Sequence, residues 1–289
     1  MLVKRMLSLS LIFSIFILTV AVSNACGESA QITGVLLLHG KGGSPPTDDP
    51  VEVIGKRKGS HTEDSLNKLM SDMKYAGFIV IAPNMPYSGN REYCKSYEDT
   101  LTEVDSYVAQ LRQKGATRIF IAGHSLGANV AIAYAAKASV DGVVAMAPGH
   151  VPEKPDFQSK LGDSLKRARQ MAESGNGGTK DTFTDSNQGL TSTITTTADI
   201  YLSWFLPDGP AVMPSNAASI KPGTAFMWVV GTQDKMYKRG PSYAYNKVPS
   251  NTCNKYLVVN ADHMNTPRVA SEDIIKWIQD AAKCVSSAP

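Results

Sequence analysis

The sequence lacks any marked surplus of charge of one sign, with 29 lysines and arginines against 26 aspartates and glutamates in 289 residues, a formal +3. Nothing in that balance attracts a polyanion, so a nucleic acid partner is not expected. Also missing is the polar, highly charged composition that keeps a chain disordered: apolar residues make up 43% and charged residues 19%. A chain of this length should therefore fold, as one large domain or as a domain carrying an insertion. No internal repeat recurs at a convincing period, and no group of histidine, cysteine and carboxylate has a metal-ligand spacing. Neither a metal nor a cofactor is expected.

One long uncharged apolar stretch is present, from Leu7 to Val22, preceded by Lys4 and Arg5 and followed by Ser23, Asn24 and Ala25. It is slightly short for a membrane span and reads as a signal peptide over residues 1–25. Its removal lowers the formal charge from +3 to +1. Export, periplasmic or secreted, is the expectation. Cys26 follows at once and could bear a lipid, although Ser23 and Asn24 depart from the usual lipoprotein pattern; membrane attachment is expected only in that case.

An exported chain meets an oxidising compartment, so the cysteines are read first as disulfide partners. Of the possible pairings, Cys253 with Cys284 fits best. A strand from Lys255 to Asn260 would run roughly 20 Å, and a helix from Pro267 to Lys283 would return roughly 25 Å, bringing start and finish together. Cys94 follows a strand whose end is expected at the opposite face of the sheet.

From Gly34 onward, short apolar runs alternate with amphipathic stretches, which predicts an α/β fold: a mostly parallel sheet of about six strands flanked by helices. Val35–Leu38 and Phe78–Ala82 read as strands buried on two faces, and Arg118–Ala122, Gly142–Ala147, Ala225–Val230 and Tyr256–Val259 as further strands. Leu66, Leu69, Met70 and Met73, then Tyr97, Leu101, Val104, Val108 and Leu111, repeat at helical spacing. Leu126–Ala136 reads as an Ala-rich helix, and Thr266-Pro267 as a capped helix start. Between about 151 and 221 the rhythm breaks into a glycine-rich turn, a Thr/Ser-rich stretch and an apolar cluster, and this region is expected to form an inserted cap.

Gly123-His124-Ser125-Leu126-Gly127 is a G-x-S-x-G pattern between a strand and a helix. The glycines suit a sharp turn that lifts the Ser125 hydroxyl clear of the sheet and leaves the Leu126 N–H at a helix N-terminus. With this motif in this context, residues 34–283 resemble the α/β-hydrolase superfamily, an exported serine esterase-like member. The resemblance implies an oxyanion loop at Leu37-Leu38-His39-Gly40-Lys41-Gly42-Gly43, with Lys41 and Leu126 supplying the backbone donors. It also implies a triad in the order serine, acid, histidine, the last two following the final two strands. Asp234 and His263 occupy those positions beside Ser125, and Asp262 is a rival acid.

What the resemblance implies is hydrolysis of a small-molecule or lipid-like ester through an acyl-enzyme intermediate. Amide, thioester and lactone substrates, or a non-catalytic binding protein on the same fold, are the alternatives. Trp204, Phe205 and Met213 in the expected cap are candidates for an apolar substrate site, with core packing as the other reading. His39 and His124 are expected to support backbone, His150 and His61 to be solvated, and Lys56-Arg57-Lys58 to be a charged surface loop.

Overall fold

A computed structural model describes residues 31–47 and 61–284. The expected signal peptide, Cys26 and the Lys56-Arg57-Lys58 run lie outside the described residues.

Six strands form one sheet: β1 (Thr33–Leu38), β2 (Ile79–Ile81), β3 (Arg118–His124), β4 (Gly142–Met146), β7 (Ala225–Gly231) and β8 (Lys255–Val259). Their order across the sheet is β2-β1-β3-β4-β7-β8, and every pairing is parallel. Parallel strands need crossovers, the crossovers are helices, and the helices cover both faces, which is why the inner strands are unbroken aliphatic runs. Alternate side chains serve opposite faces. Leu36, Leu38, Ile119, Ile121, Val143, Phe226 and Trp228 pack with α2 (Tyr97–Gln113) and α3 (Leu126–Lys137). Val35, Leu37, Phe120, Val144, Met146, Met227 and Val229 pack with α1 (His61–Tyr75) and α9 (Ser271–Cys284).

The sheet edges depart from expectation. β2 has only three residues, none fully buried, because a neighbour covers it on one side alone. The final helix is broken, with a single turn α8 (Thr266–Val269) preceding α9. Thr266 does not cap it; its hydroxyl donates to the Asp262 carbonyl at 2.7 Å. Cys253 and Cys284 are joined by a disulfide, Cα to Cα 6.7 Å, so the start of β8 and the end of α9 do meet.

Between β4 and β7 lie α4 (Pro155–Leu161), α5 (Ser164–Glu173), strands β5 (Lys180–Asn187) and β6 (Leu190–Thr197), α6 (Ala198–Phe205) and α7 (Met213–Ala218). The Thr/Ser-rich stretch is thus an antiparallel hairpin, with Asn187 opposite Leu190. Its two turn residues, Gln188 (φ 51°) and Gly189 (φ 90°), both take the left-handed conformation that suits a two-residue hairpin turn.

The chain leaves β1 for β2 on one side, then returns to β3 on the other. Loops leaving the carboxyl ends of β1 and β3 therefore diverge and open a crevice, the usual ligand position in such sheets. Leu38 pairs with Gly123, so Lys41 and Ser125 stand side by side there.

Candidate active site

Ser125 immediately precedes α3, at its N-cap, with φ 55° and ψ −118°, a backbone conformation that L-residues rarely adopt. Its surroundings hold it there: its N–H donates to the Met146 carbonyl at 3.0 Å, and its carbonyl accepts from Gly149 N at 3.0 Å. Glycine is obligatory on either side. A Cβ at 123 would lie 2.2 Å from the Gly127 carbonyl oxygen, and one at 127 would lie 2.5 Å from that of His39. Two further glycines close on the hydroxyl itself, since a Cβ at Gly149 would sit 2.8 Å from Ser125 Oγ and one at Gly40 3.2 Å from Ser125 Cβ.

The three residues expected to act together are brought together. His263 Nε2 lies 3.0 Å from Ser125 Oγ, and His263 Nδ1 lies 2.5 Å from Asp234 Oδ2. The other oxygen of Asp234 accepts the Met236 N–H at 2.6 Å, which fixes the carboxylate plane. Asp262 is turned elsewhere: it accepts from the backbone and side chain of Asn265, stabilising the turn that carries His263, and these bonds hold its pKa low although partial burial opposes them. His124 sets the height of that turn by donating from Nε2 to the His263 carbonyl at 2.9 Å. Full burial pushes the His124 pKa down to about 3, so it is neutral, and a carbonyl partner requires the proton on Nε2.

The loop after β1 is anchored by His39, whose Nε2 accepts the Met85 N–H at 3.1 Å while Nδ1 donates to the Gly40 carbonyl at 2.8 Å. Gly42 and Gly43 donate to Tyr87 and Gly40 carbonyls, whereas the Lys41 N–H has no acceptor among the described residues. Leu126, the first residue of α3, likewise has an N–H without an intrahelical partner. Two backbone donors are thus available beside Ser125.

The Lys41 side chain was not anticipated. It is buried beneath the hairpin, with Nζ 2.6 Å from Asp185 Oδ1 and 3.0 Å from the Ser186 carbonyl, and the rings of Tyr93, Phe157 and Phe205 surround it at 5.3–5.9 Å. Lys235, next to Asp234, reaches the same hairpin and donates to the Gln188 carbonyl at 2.9 Å. The hairpin turn consequently overhangs Ser125 and divides the space above it.

Two cavities result, and both touch Ser125, Lys41, Asn187, Gln188 and His263. The larger, about 260 Å³, runs along the Gly40–Ser44 loop towards Leu66 and Met264. The smaller, about 110 Å³, runs past Gly149 and Phe157 towards Lys160, Lys235 and Arg239.

Trp204, Phe205 and Met213 line neither cavity. All three are fully buried: Trp204 is ringed edge-on by Tyr87, Tyr93 and Tyr97, with its indole N–H on the Lys95 carbonyl at 2.9 Å, and Phe205 stacks on Tyr201. The aromatic cluster is core, the other reading open from sequence. Nor is His150 solvated. It is buried with φ 64°, bonds through Nε2 to the Trp204 carbonyl at 2.7 Å, and is pushed by burial to a pKa of about 3.

The family model described as the alpha/beta hydrolase family matches residues 35–273. Comparison with the curated proteins finds no match. Among solved structures, the chain resembles that reported for LipS and LipT, two metagenome-derived lipolytic enzymes, at TM-score 0.56 and 15% identity, covering 88% of this chain and 94% of that one. It also resembles Est1E from Butyrivibrio proteoclasticus with ferulic acid bound (TM-score 0.55, 13% identity, 88% and 90% covered). A third is the monoacylglycerol lipase of Paleococcus ferrophilus (TM-score 0.53, 20% identity, 88% and 95% covered). At such identities the likeness is one of fold.

Proposed function

This chain belongs to the alpha/beta hydrolase family, and we propose that within it the protein is a serine hydrolase of carboxylic esters, with Ser125, His263 and Asp234 as its triad. The observation that carries the reading is the unbroken chain from Ser125 Oγ through His263 to Asp234, at 3.0 and 2.5 Å. A serine hydroxyl is a poor nucleophile at neutral pH, and such a chain is what activates it.

In the proposed reaction, Ser125 Oγ bonds to the ester carbonyl carbon while its proton passes to His263 Nε2. Asp234 keeps the imidazole oriented and stabilises its positive form. The oxyanion lies between the Lys41 and Leu126 N–H groups, each of which is worth about 10²–10³ in turnover in comparable sites. Collapse expels the alcohol, which takes the proton from His263. Water then attacks the acyl-enzyme by the same route and regenerates Ser125. The lipolytic and esterase neighbours support an ester as substrate, although they resemble this chain in fold alone. The composition of residues 1–25 supports export, and the Cys253–Cys284 disulfide accords with an oxidising compartment.

Hydrolysis of 4-nitrophenyl acetate by the purified protein and by Ser125→Ala tests the reading. The substitution should reduce the rate nearly to that of a protein-free solution. A folded Ser125→Ala protein as active as its parent would remove Ser125 from the chemistry, and a folded parent with no activity on any ester would favour ligand capture.

A further inference from the structure

The two cavities at Ser125 differ in charge. Around the larger, the only charged side chain among the described lining residues, apart from the histidines, is Lys41, which is neutralised by Asp185. The smaller is lined by Lys160 on α4, Lys235 after β7, and Arg239, against Asp156 as the one carboxylate other than Asp234. Asp234 is held by His263, and Asp156 faces Arg239 at 3.6 Å. Lys160 and Lys235 are left without a counter-charge: neither forms an ion pair among the described residues, and Lys235 uses one hydrogen on the Gln188 carbonyl.

These two ammonium groups converge. They lie 3.6 Å and 2.8 Å from the point where a Cβ on Gly189 would stand, at the turn of the hairpin that roofs the cavity. Residues 160 and 235 are far apart in sequence, so two separate elements bring the positive charges together beside the hairpin turn. Like charges held close together repel unless an anion sits between them, and a narrow cleft of one sign concentrates ligands of the other. The cavity behind them is the smaller of the two, about 110 Å³ against about 260 Å³.

We infer that the site is built for esters in which one half is compact and carries an anionic group, a carboxylate in the simplest case, seated in the smaller cavity against Lys160 and Lys235. The inference rests on the hydrolase reading above and names its substrate class. The carbonyl carbon sits at Ser125 Oγ, the uncharged half occupies the larger cavity, and the anion lies at the basic mouth.

The test compares kcat/KM for two ester pairs after subtraction of the uncatalysed rate. One pair is mono(4-nitrophenyl) glutarate and 4-nitrophenyl butyrate, with the anion on the acyl half; the other is 4-acetoxybenzoate and phenyl acetate, with the anion on the alcohol half. The anionic member of one pair should be favoured about tenfold or more at low ionic strength, and that pair identifies the half that enters the basic cavity. The preference should shrink in 0.5 M sodium chloride, because exposed charges are screened. It should also fall about fivefold or more in Lys160→Glu and in Lys235→Met. Because the readout is a ratio on one protein sample, a general loss of activity in a variant cancels. Neutral esters hydrolysed as well as anionic ones in both pairs, or a preference unchanged by both substitutions, would overturn the inference and leave the hydrolase reading intact. A folded parent that hydrolyses none of the four would overturn both.

Discussion

Ser125 occupies a conformation that costs of order 1–3 kcal/mol and persists only where its surroundings over-determine it. Here they do so through Met146, Gly149 and the glycines at 123 and 127. Ser125→Ala and His263→Ala are each expected to abolish ester hydrolysis, and the double variant to be no worse, because the residues act as a unit. Asp234→Asn should lower kcat by about 10⁴, since an amide leaves the imidazole in the wrong tautomer, while Asp262→Asn should be mild because Asp262 serves the Asn265 turn. Steady-state kinetics on the five variants decide this, and a reversal of the two aspartate effects would mean the acid has been misassigned. The positions of Ser125, Asp234 and His263, which the fold brings together, were legible in the sequence because each follows a strand at a fixed place in the chain order. The placement of Lys160, Lys235 and the Lys41 side chain was not, because it depends on contacts between residues 41, 185, 160, 189 and 235 that no local pattern encodes.

At the scale of single elements, the hairpin β5–β6 is tied to the loop after β1 by one buried ion pair, Lys41 with Asp185. Removing one partner of such a pair strands the other charge and typically costs about 3–5 kcal/mol, whereas replacing both with apolar residues is often neutral. Lys41→Met should therefore lower the urea midpoint strongly, and adding Asp185→Leu should restore much of the loss. A double variant as unstable as the single would show that the Lys41 side chain matters for something other than neutralising Asp185. Trp204→Ala should cost about 3–5 kcal/mol as a core truncation, with no change in preference between short and long acyl chains, since Trp204 lines neither cavity. The hairpin was missed in the sequence because its strands are polar threonines and serines, and only Phe183, Asp185 and Ser186 of β5 and Thr196 of β6 are buried. The inner strands were plain because a parallel sheet covered on both faces writes continuous aliphatic runs. The edge strand β2, covered on one side, shrank to three residues.

For the whole molecule, acid should be destabilising well before its carboxylates titrate. His124 and His150 are buried neutral with pKa values of about 3 against 6.5 for a free histidine. Between those values the unfolded chain binds the extra protons, so stability is complete above about pH 6.5 and falls as pH drops towards 3. For two such groups the loss between pH 7 and 4.5 is on the order of 5 kcal/mol. Glu103, held down at about 2 by Arg91, Lys95 and Tyr107 against the opposing effect of burial, adds a further loss only below about pH 4.5. Urea unfolding at the two pH values measures this, and an unchanged midpoint would mean that the two histidines are not buried as described. The Cys253–Cys284 bridge closes 31 residues and should contribute about 3–4 kcal/mol by constraining the unfolded chain. Peptide mapping without reductant should find the two peptides linked.

The central claim is that Ser125 is an activated nucleophile, and the most direct measurement is covalent. Intact-mass analysis and peptide mapping after treatment with a fluorophosphonate should show one adduct per chain, located on Ser125 and absent in Ser125→Ala and greatly slowed in His263→Ala. A folded protein that takes up no label, or that takes it up equally in Ser125→Ala, would contradict the account.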